Sequence, residues 1–413
     1  MPSHRLTAPR GEEHQLEVQS LDSRRLFWTY NRGMTNTRTR PTYLQVDLPR
    51  LKQNLTNIRK HVHPAKVMVL MKANAYGHGV DGLAPYLAPL VDYMGVAIVD
   101  EAVHLRRLGI TAPIMVLGGT LPDELPQFVE HDLTVSVSSM ELLDAAEKTA
   151  RSSRAALKVH LKIDTGMERT GVHDYEAEGF LERSLKCHNL EIEGIYTHLA
   201  NSETRDLTHA RLQLTRFHDV LAYYTRKGAA PPPIRHVANS GAILQLPESH
   251  LEMVRAGVMF YGVYPGPDVQ RTVEVSSALT WCARVVHSKI TLPGRPVSYG
   301  SLWNPERPVR VITIPCGYGD GYFRRMSNQA RVIVKGKSYD QVGRICMDQF
   351  MANALDDDVK VGDAVVLMGR DPSGAQITAE ELAAWAGTNE YEVMTNISAR
   401  VPRQYTTDPG PAQ

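Results

Sequence analysis

The chain has 413 residues, of which 43% are hydrophobic, and its 46 lysines and arginines nearly balance its 45 aspartates and glutamates. The formal net charge of +1 offers no strongly basic face, so nucleic acid is not an expected partner and a small molecule is the default ligand. At roughly 100 to 200 residues per domain, this length predicts one large domain and a second one.

Cysteine usage and hydropathy indicate the compartment. The four cysteines are widely spaced and form no CxxC pair, so we expect neither a disulfide framework nor a metal site. No stretch approaches about 18 consecutive apolar residues, and the opening residues lack the apolar core of a secretory signal. We therefore expect a cytoplasmic protein that does not insert into a membrane. The cysteines are Cys187, Cys282, Cys316 and Cys346.

The predicted elements alternate regularly over the first two thirds of the chain. Residues 1–40 are polar and lack a helical or strand period, which predicts a flexible N-terminal extension. From there to about residue 265, strand-like runs are separated by longer stretches of helical composition. The eight runs are VMVLM, DYMGVAIV, PIMVLGG, LTVSV, LKVHLKI, EIEGIYT, IRHVA and MVRAGVMF. Eight such units predict a parallel (β/α)8 barrel of the TIM type. An open doubly wound sheet is the alternative, but no GxGxxG motif follows the first run.

The pattern changes after about residue 275. Short β-rich segments with Gly and Pro turns follow, together with one late helix, TAEELAAWAG. The expected fold class is thus α/β, with a (β/α)8 barrel over residues 41–275 and a mostly β C-terminal domain over residues 276–413. A first strand near residues 42–48 is a candidate member of the C-terminal domain.

Lys72 ends the first strand-like run and is followed at once by the small and polar residues ANAYGHG. A lysine at a strand end is usually a solvated cap. Here the preceding residues are expected to be buried, and a partly desolvated amine has a lowered pKa and can attack an aldehyde near neutral pH. Because barrel active sites lie at the carboxyl ends of the strands, Lys72 is a candidate for a Schiff base with pyridoxal phosphate.

A phosphate site would follow the seventh and eighth runs. Asn239 and Ser240 begin a predicted helix, where free N–H groups favour an anion, although simple N-capping by Ser240 explains the segment equally well. The eighth run contains Arg255 and then Gly257, whose missing side chain lets backbone approach a ligand. Phosphate sites near strands 7 and 8 recur in barrels, so the two segments support each other.

The fifth and sixth runs carry polar residues to the same end of the barrel. LKVHLKID alternates, and a barrel strand is buried on both sides, so Lys162 would need a compensating charge. Arg169 lies in the following loop, where it could meet a carboxylate or phenolate. His198 ends the sixth run and is a candidate to stack on a flat aromatic cofactor, with a hydrogen-bonded core histidine as the alternative.

These motifs together resemble the alanine racemases, the fold-type III family of pyridoxal phosphate enzymes. The similarity runs from about Thr42 to Tyr405. The motifs, in the family's order, are KANAYGHG, KIDTGMERTG, HVANSGA, VRAGVMFYG, SYG, GYGDGY, GRICMDQ and ISARVPRQY.

The resemblance implies a role for each matching residue of the barrel half. Lys72 would hold the cofactor and act as the base on one face of the substrate. Arg169 would reach the phenolic oxygen and the substrate carboxylate, and Lys162, at a position that is carbamylated in many members, would orient it. The implied cofactor-binding residues are Lys72, Tyr76, His198, Asn239, Ser240, Arg255, Gly257, Val258 and Tyr391.

The resemblance also implies a shared active site in a head-to-tail homodimer. Tyr299 of VSYG would be the opposite base, contributed by the other subunit, and the backbone of Met347 would bind the substrate carboxylate. Tyr318, Arg324 and Arg344 would line the access channel, with interface packing as an equally good explanation.

The implied function is racemisation of L- and D-alanine by two bases, supplying D-alanine for peptidoglycan. A serine or broad-specificity racemase is the alternative, because Leu302 and Trp303 follow SYG where the family more often has Thr followed by Tyr or Phe. Glu168 likewise replaces a residue that is often Gly or Asn. A non-catalytic pyridoxal phosphate carrier lacks the β domain, and a decarboxylase of this fold type is not expected to carry SYG and GRICMDQ in this order.

Overall fold

The computed structural model describes residues 40–407. The predicted extension over residues 1–40 lies, apart from Arg40, outside the described residues. The first strand is β1, Tyr43–Asp47. None of the helices between residues 40 and 407 combines the length and the apolar composition that a membrane crossing requires.

The strands of the first sheet run parallel and form a nearly closed barrel. Its hydrogen-bonded order is β10-β2-β3-β4-β5-β6-β8-β9, and the short β7 pairs with β6. The ring is closed by backbone bonds from Arg255 to Ala238 and from Glu252 to Arg235. The predicted (β/α)8 barrel is therefore confirmed. Its strands are β2 Lys66–Leu70, β3 Tyr93–Val96, β4 Ile114–Val116, β5 Thr134–Val137, β6 Leu157–Asp164, β7 Val172–His173, β8 Leu190–Tyr196, β9 Ile234–His236 and β10 Met253–Ala256.

Helices separate most of the barrel strands, and their ends follow local capping chemistry. Ser139 caps the helix between β5 and β6 by accepting from Leu142 N. Late in the chain, Thr378 and Glu381 form a capping box. The helices are α1 Leu48–Val62, α2 Lys72–Tyr76, α3 Val80–Leu87, α4 Val99–Arg107, α5 Leu125–Glu130, α6 Met140–Ser153, α7 Ala177–Ser184, α8 Thr208–Arg226, α9 Ser240–Gln245, α10 Ala379–Ala386 and α11 Glu390–Thr395.

The barrel strands are buried on both faces. Every residue of β3, β4, β5 and β10 is buried, as expected for parallel strands that are covered on both faces. In β6 the burial extends to His160 and Lys162, as expected for a strand inside a barrel. A set of polar side chains therefore lies in the barrel core and requires partners.

The second sheet is mostly antiparallel and includes the first strand of the chain. Its order is β12-β13-β16-β15-β14-β17-β11-β1-β19, with β18 on β17. β1 pairs antiparallel with β11 and parallel with β19, so both ends of the described chain meet in this sheet. The strands are β11 Leu279–Arg284, β12 His287–Thr291, β13 Val309–Ile314, β14 Arg331–Val334, β15 Lys337–Val342, β16 Phe350–Asn353, β17 Ala364–Arg370, β18 Gln376–Ile377 and β19 Arg403–Thr406.

Candidate active site

Lys72 begins a left-handed helical turn directly after β2. Ala73, Asn74, Ala75 and Tyr76 all have φ between 50° and 55°. For residues with a Cβ this conformation costs roughly 1–2 kcal/mol each, so a run of four persists only where tertiary contacts impose it. The turn is thus a strained element at the carboxyl end of a barrel strand, where active sites are found.

Side chains from the barrel hold this turn. Glu101 of α4 accepts from Ala73 N through Oε1 at 2.7 Å and from Ala97 N through Oε2 at 2.8 Å. Asn74 Oδ1 accepts from Val80 N at 2.8 Å. Bonds to a charged acceptor are the stronger kind, so Glu101 ties the turn firmly to the loop after β3.

Strand β19 of the second sheet holds the other end of the turn. Arg403 Nε donates to Gly77 O at 3.0 Å, and Tyr405 Oη donates to Gly79 O at 2.8 Å. Gly77 has φ 80°, and a Cβ there would lie 2.1 Å from Met394 O. Contacts from both sheets therefore fix the position of Lys72.

The amine of Lys72 lies in a positively charged, partly dehydrated site. Burial lowers the pKa of Lys72, nearby Arg169 and Arg255 lower it further, and only Glu101 opposes them. Its Nζ lies 6.0 Å from the centroid of the Tyr76 ring. Lys72 is thus biased towards the free amine, the form that attacks a carbonyl or accepts a proton.

Two hydroxyls and a glycine form a concave cradle beside the turn. Gly257 N donates to Ser240 Oγ at 3.1 Å. A Cβ on Gly257 would lie 2.9 Å from Tyr76 Oη and 3.5 Å from Ser240 Oγ. The Tyr391 ring lies 6.1 Å from that of Tyr76. Burial raises the pKa of the Tyr76 and Tyr391 hydroxyls, which keeps them as donors. Such a donor set suits a phosphate group.

Helix α9, which begins beside this cradle, is not capped by Ser240, the alternative explanation considered for this segment. Asn239, and not Ser240, is the N-cap of α9: its Oδ1 accepts from Ala242 N at 3.2 Å and from Ser202 Oγ at 2.5 Å. The Ser240 hydroxyl is therefore available to the cradle. Val258 is buried and starts the short 3₁₀ turn that follows Gly257.

Arg255 is buried in the barrel among neutral acceptors. Its Nη1 donates to His236 Nδ1 at 2.8 Å and to His236 O at 3.1 Å. Its Nη2 donates to Thr197 O and Val237 O, each at 2.9 Å, and contacts His198 Nδ1 at 3.2 Å. Its Nε–H makes no hydrogen bond within residues 40–407 and is free for a ligand. Burial lowers the pKa of Arg255 to about 10, so it remains a cation at neutral pH.

The loop after β6 is organised by Asp164. Its two oxygens accept four successive backbone N–H groups, among them that of Arg169 at 3.1 Å, and these bonds hold its pKa down against the effect of burial. Lys162 Nζ donates to Thr170 Oγ1 at 2.6 Å. Burial, and then Arg169 and Arg255, lower the pKa of Lys162 to about 8. The expected need for a compensating charge at Lys162 thus stands, and whether it is carbamylated stays a prediction.

Three of the residues expected on the second domain are exposed. The side chains of Tyr299, Met347 and Tyr318 are 72%, 52% and 42% exposed. We call these three residues the Tyr299 surface. Within residues 40–407, Tyr299 forms no hydrogen bond, ion pair or ring contact with the Lys72 turn. One chain therefore does not bring the two expected bases together.

Hydrogen bonds to backbone carbonyls connect the segments that carry Tyr299, Tyr318, Met347 and Arg344. Gly319 N donates to Met347 O at 2.9 Å and Ser298 Oγ donates to Arg344 O at 2.6 Å. The buried Arg344 Nε has no partner among the described residues. Arg324 is exposed and starts a 3₁₀ turn.

Comparison with known proteins identifies the family. Residues 46–265 match the model of the alanine racemase N-terminal domain, and residues 278–405 match that of the C-terminal domain. The alanine racemase of Carboxydothermus hydrogenoformans is 42% identical over 370 residues, which cover 89% of this chain and 100% of the relative. The chain belongs to the alanine racemase family.

Solved alanine racemases have the same architecture. The enzyme of Clostridium difficile 630 superposes with a TM-score of 0.84 at 35% identity, covering 90% of this chain and 97% of the other. The Bacillus anthracis alanine racemase with bound L-Ala-P gives 0.83 at 34% identity, covering 89% and 96%. The chain is thus an isomerase of this family, and its fold extends over nearly the full length of its relatives.

Sequence reasoning missed the residues that support the site. Glu101 lies in a helix where nothing marks it as more than a capping residue, and Arg403 and Tyr405 lie more than 300 positions from the turn that they hold. Glu168 has φ 54°, a left-handed conformation that Gly and Asn adopt more easily than Glu. The departure at Glu168 was thus a sequence signal of a left-handed position directly before Arg169.

Proposed function

We propose that this protein interconverts L- and D-alanine with pyridoxal 5′-phosphate as cofactor, using Lys72 and Tyr299 of the partner subunit as the two bases. The observation that carries the proposal is the convergence of three features. All three lie at or near the carboxyl ends of the barrel strands: a lysine with a lowered pKa, a cradle of hydroxyls around Gly257, and a buried Arg255 whose Nε–H makes no hydrogen bond within residues 40–407.

The residues fit the cofactor by the chemistry of their donors. The cradle offers the Ser240 and Tyr76 hydroxyls in a space that a Cβ on Gly257 would fill, which suits a phosphate. The Nε–H of Arg255 suits a ring nitrogen that must accept rather than donate. When bound, pyridoxal phosphate supplies an electron-withdrawing ring that lowers the energy needed to remove the α-proton of an amino acid.

The chain's own residues would then bind the substrate and move its proton. Lys72 would exchange a proton with the α-carbon on one face, which its lowered pKa favours. Arg169 would hold the substrate carboxylate, oriented by its loop and by Lys162. Because Arg255 stays a guanidinium, it would donate to the ring nitrogen without transferring its proton.

The second base would come from a second copy of the chain. The proposal is supported by the exposure of Tyr299, Met347 and Tyr318 on the β domain, and by the lack of any hydrogen bond, ion pair or ring contact between Tyr299 and the Lys72 turn within residues 40–407. A head-to-tail homodimer would place the Tyr299 surface of each chain over the site of the other. In that assembly Met347 would bind the substrate carboxylate through its backbone, and Arg324 and Arg344 would line the access channel.

The physiological role follows from the product. We propose that the D-alanine serves peptidoglycan synthesis in the cytoplasm. A serine or broader racemase is the second candidate. Leu302 is half exposed, and Trp303 pairs with Val297 in a β-bridge that encloses Tyr299. These two residues therefore form part of the surface next to the proposed second base.

Racemisation of pure enantiomers tests the function. Purified protein loaded with pyridoxal phosphate is given L-alanine, L-serine or L-lysine, and the D-enantiomer is measured by chiral chromatography, with Lys72→Ala as the inactive control. Alanine turnover well above that of the other two supports the proposal. Equal turnover of all three favours the broad racemase, and no turnover of any refutes racemase activity.

A further inference from the structure

A chain of buried polar side chains leads from Arg255 through the barrel core to its amino-terminal end. Arg255 Nη1 bonds His236 Nδ1 at 2.8 Å, His236 Nε2 bonds His160 Nδ1 at 2.8 Å, and His160 Nε2 meets Glu193 Oε2 at 3.4 Å. We call these four residues the polar relay. The proposed reaction uses only Arg255 among them.

The direction of each hydrogen bond in the polar relay follows from its first member. Arginine has donors and no acceptor, so His236 Nδ1 must accept and the proton of His236 must lie on Nε2. That Nε2–H donates to His160 Nδ1, which places the proton of His160 on Nε2 as well. His160 can then only donate to Glu193. The relay thus has one consistent polarity, with neutral imidazoles between a cation and a carboxylate.

Electrostatics agree with this assignment. Burial, and then the charge of Arg255, holds the pKa of His236 well below its ordinary value, and burial lowers the pKa of His160. Burial opposes the ionisation of Glu193, but the bonds from His160 and from Tyr93 Oη, at 2.6 Å, outweigh it and hold its pKa down. Two neutral histidines between unlike charges are therefore the favoured state.

The packing of the barrel strands leaves space for the side chains of the polar relay. A Cβ on Gly194 would lie 2.4 Å from His160 Nδ1, and β6 and β8 slip register beside His160, which makes room for its ring. The Tyr196 ring stacks on His236 with centroids 4.5 Å apart and planes 5° apart. The side chain of Glu193 is 21% exposed, so the relay ends near solvent.

We propose that Glu193 is a positioning residue that acts through His160 and His236 on Arg255. Within residues 40–407 Arg255 has no carboxylate in ion-pair contact, and Glu193 supplies the negative end of the chain that holds it. The relay fixes His236 as an acceptor, which keeps the Arg255 cation oriented with its Nε–H free. Removing the carboxylate makes that N–H a stronger donor. The effect on the cofactor rests on the proposed function, whereas the protonation pattern is a property of the protein alone.

Other charges face these groups, so the test needs a matched control. The titratable and charged groups around the polar relay and Lys72 are Tyr93, Glu101, Lys158, Lys162 and Arg169. Glu191 lies two residues from Glu193 on the same strand and is exposed. Glu191→Gln removes the same charge outside the relay, so it separates transmission through the histidines from a general change of field.

The first measurement uses the cofactor-free protein with ¹⁵N-labelled histidine. The expected spectra show His236 and His160 as neutral Nε2–H tautomers near neutral pH, and Glu193→Gln shifts the signals of both whereas Glu191→Gln shifts neither. A His160→Phe substitution, which cuts the relay, removes the response of His236 to Glu193→Gln. A protonated His236, an Nδ1–H tautomer, or equal responses to both glutamine variants would overturn the proposal. The tautomers are read on the unsubstituted protein, so they decide even if a variant fails to fold.

The second measurement uses protein loaded with pyridoxal phosphate. The visible absorption band of Glu193→Gln is expected at longer wavelength than that of the unsubstituted protein and of Glu191→Gln, because Arg255 donates more strongly to the ring nitrogen. An unmoved band in Glu193→Gln overturns the influence on the cofactor. A protein that binds no pyridoxal phosphate refutes the proposed function instead, and leaves the tautomer test intact.

Discussion

Gly257→Ala tests the phosphate cradle by the addition of one methyl group. The new Cβ would lie 2.9 Å from Tyr76 Oη, closer than such atoms normally approach. Tyr76 cannot easily retreat, because it belongs to the left-handed turn and its ring packs 5.0 Å from that of Tyr261. The methyl group therefore displaces the hydroxyl that is proposed to bind phosphate.

The expected loss is that of one charge-assisted hydrogen bond. Such a bond contributes about 1.5–3 kcal/mol, and each 1.4 kcal/mol is tenfold in affinity, so pyridoxal phosphate should bind roughly 10- to 150-fold more weakly. Alanine turnover at saturating cofactor should fall less than affinity, because Lys72 and Arg255 are untouched.

The assay is titration of cofactor-free protein with pyridoxal phosphate, followed by visible absorption. Gly119→Ala is the matched control, since a Cβ there would meet no atom within 4 Å. Thermal unfolding of the cofactor-free variants checks that both are folded. Equal cofactor affinity in Gly257→Ala, Gly119→Ala and the unsubstituted protein would refute the cradle.

Three further predictions address the bases and their surroundings. Mixing inactive Lys72→Ala with inactive Tyr299→Phe should restore part of the racemase activity; no recovery despite subunit exchange, measured with differently tagged chains, contradicts a shared site. Glu101→Gln removes the carboxylate that raises the pKa of Lys72, so the acid limb of the kcat/KM profile should move to lower pH, whereas the exposed neighbour Asp100→Asn should leave it in place. If Lys162 is unmodified, its pKa is about 8 in the folded protein and 10.5 in the unfolded chain. Between these two pH values the unfolded state binds more protons than the folded state, so the free energy of unfolding rises with pH. Lys162→Met should then abolish the rise and stabilise the protein at pH 7 by about 3 kcal/mol in urea unfolding, while a carbamylated Lys162 shows no such rise.

The barrel could be predicted because the pattern of buried residues that drives its folding is visible in short stretches of the sequence. The buried strands are short and rich in apolar residues, and they recur with helical stretches between them, so the number of strands follows from the local sequence. The location of Lys72 at a strand end followed for the same reason. The first strand near residues 42–48 was a candidate member of the C-terminal domain, but its pairing with β11 and β19 joins segments more than 200 residues apart, so its partner strands could not be read from a local pattern.

The left-handed turn and the polar relay could not be predicted, for a different physical reason. Ala73 and Ala75 have no intrinsic preference for positive φ, so their conformation comes from Glu101, Arg403 and the close approach of Met394 rather than from their own side chains. His236 lies in a three-residue strand and gave no signal of its own. Both features belong to contacts between distant segments, and strain of this kind concentrates at functional sites.

The same burial gives Lys72 and Arg255 opposite chemical properties. Desolvation lowers the pKa of both cations, yet it brings the amine of Lys72 towards the range in which it can exchange a proton, while Arg255, with a pKa of about 10, stays charged. A lysine at the second position would start from an ordinary pKa about two units lower, so the same burial would hold its charge less securely. The same burial thus leaves a lysine with a lowered pKa beside an arginine that stays charged, because the two residue types start from different pKa values. Glu101 raises the pKa of the first, and Glu193 is the carboxylate that we propose to act on the second through the polar relay.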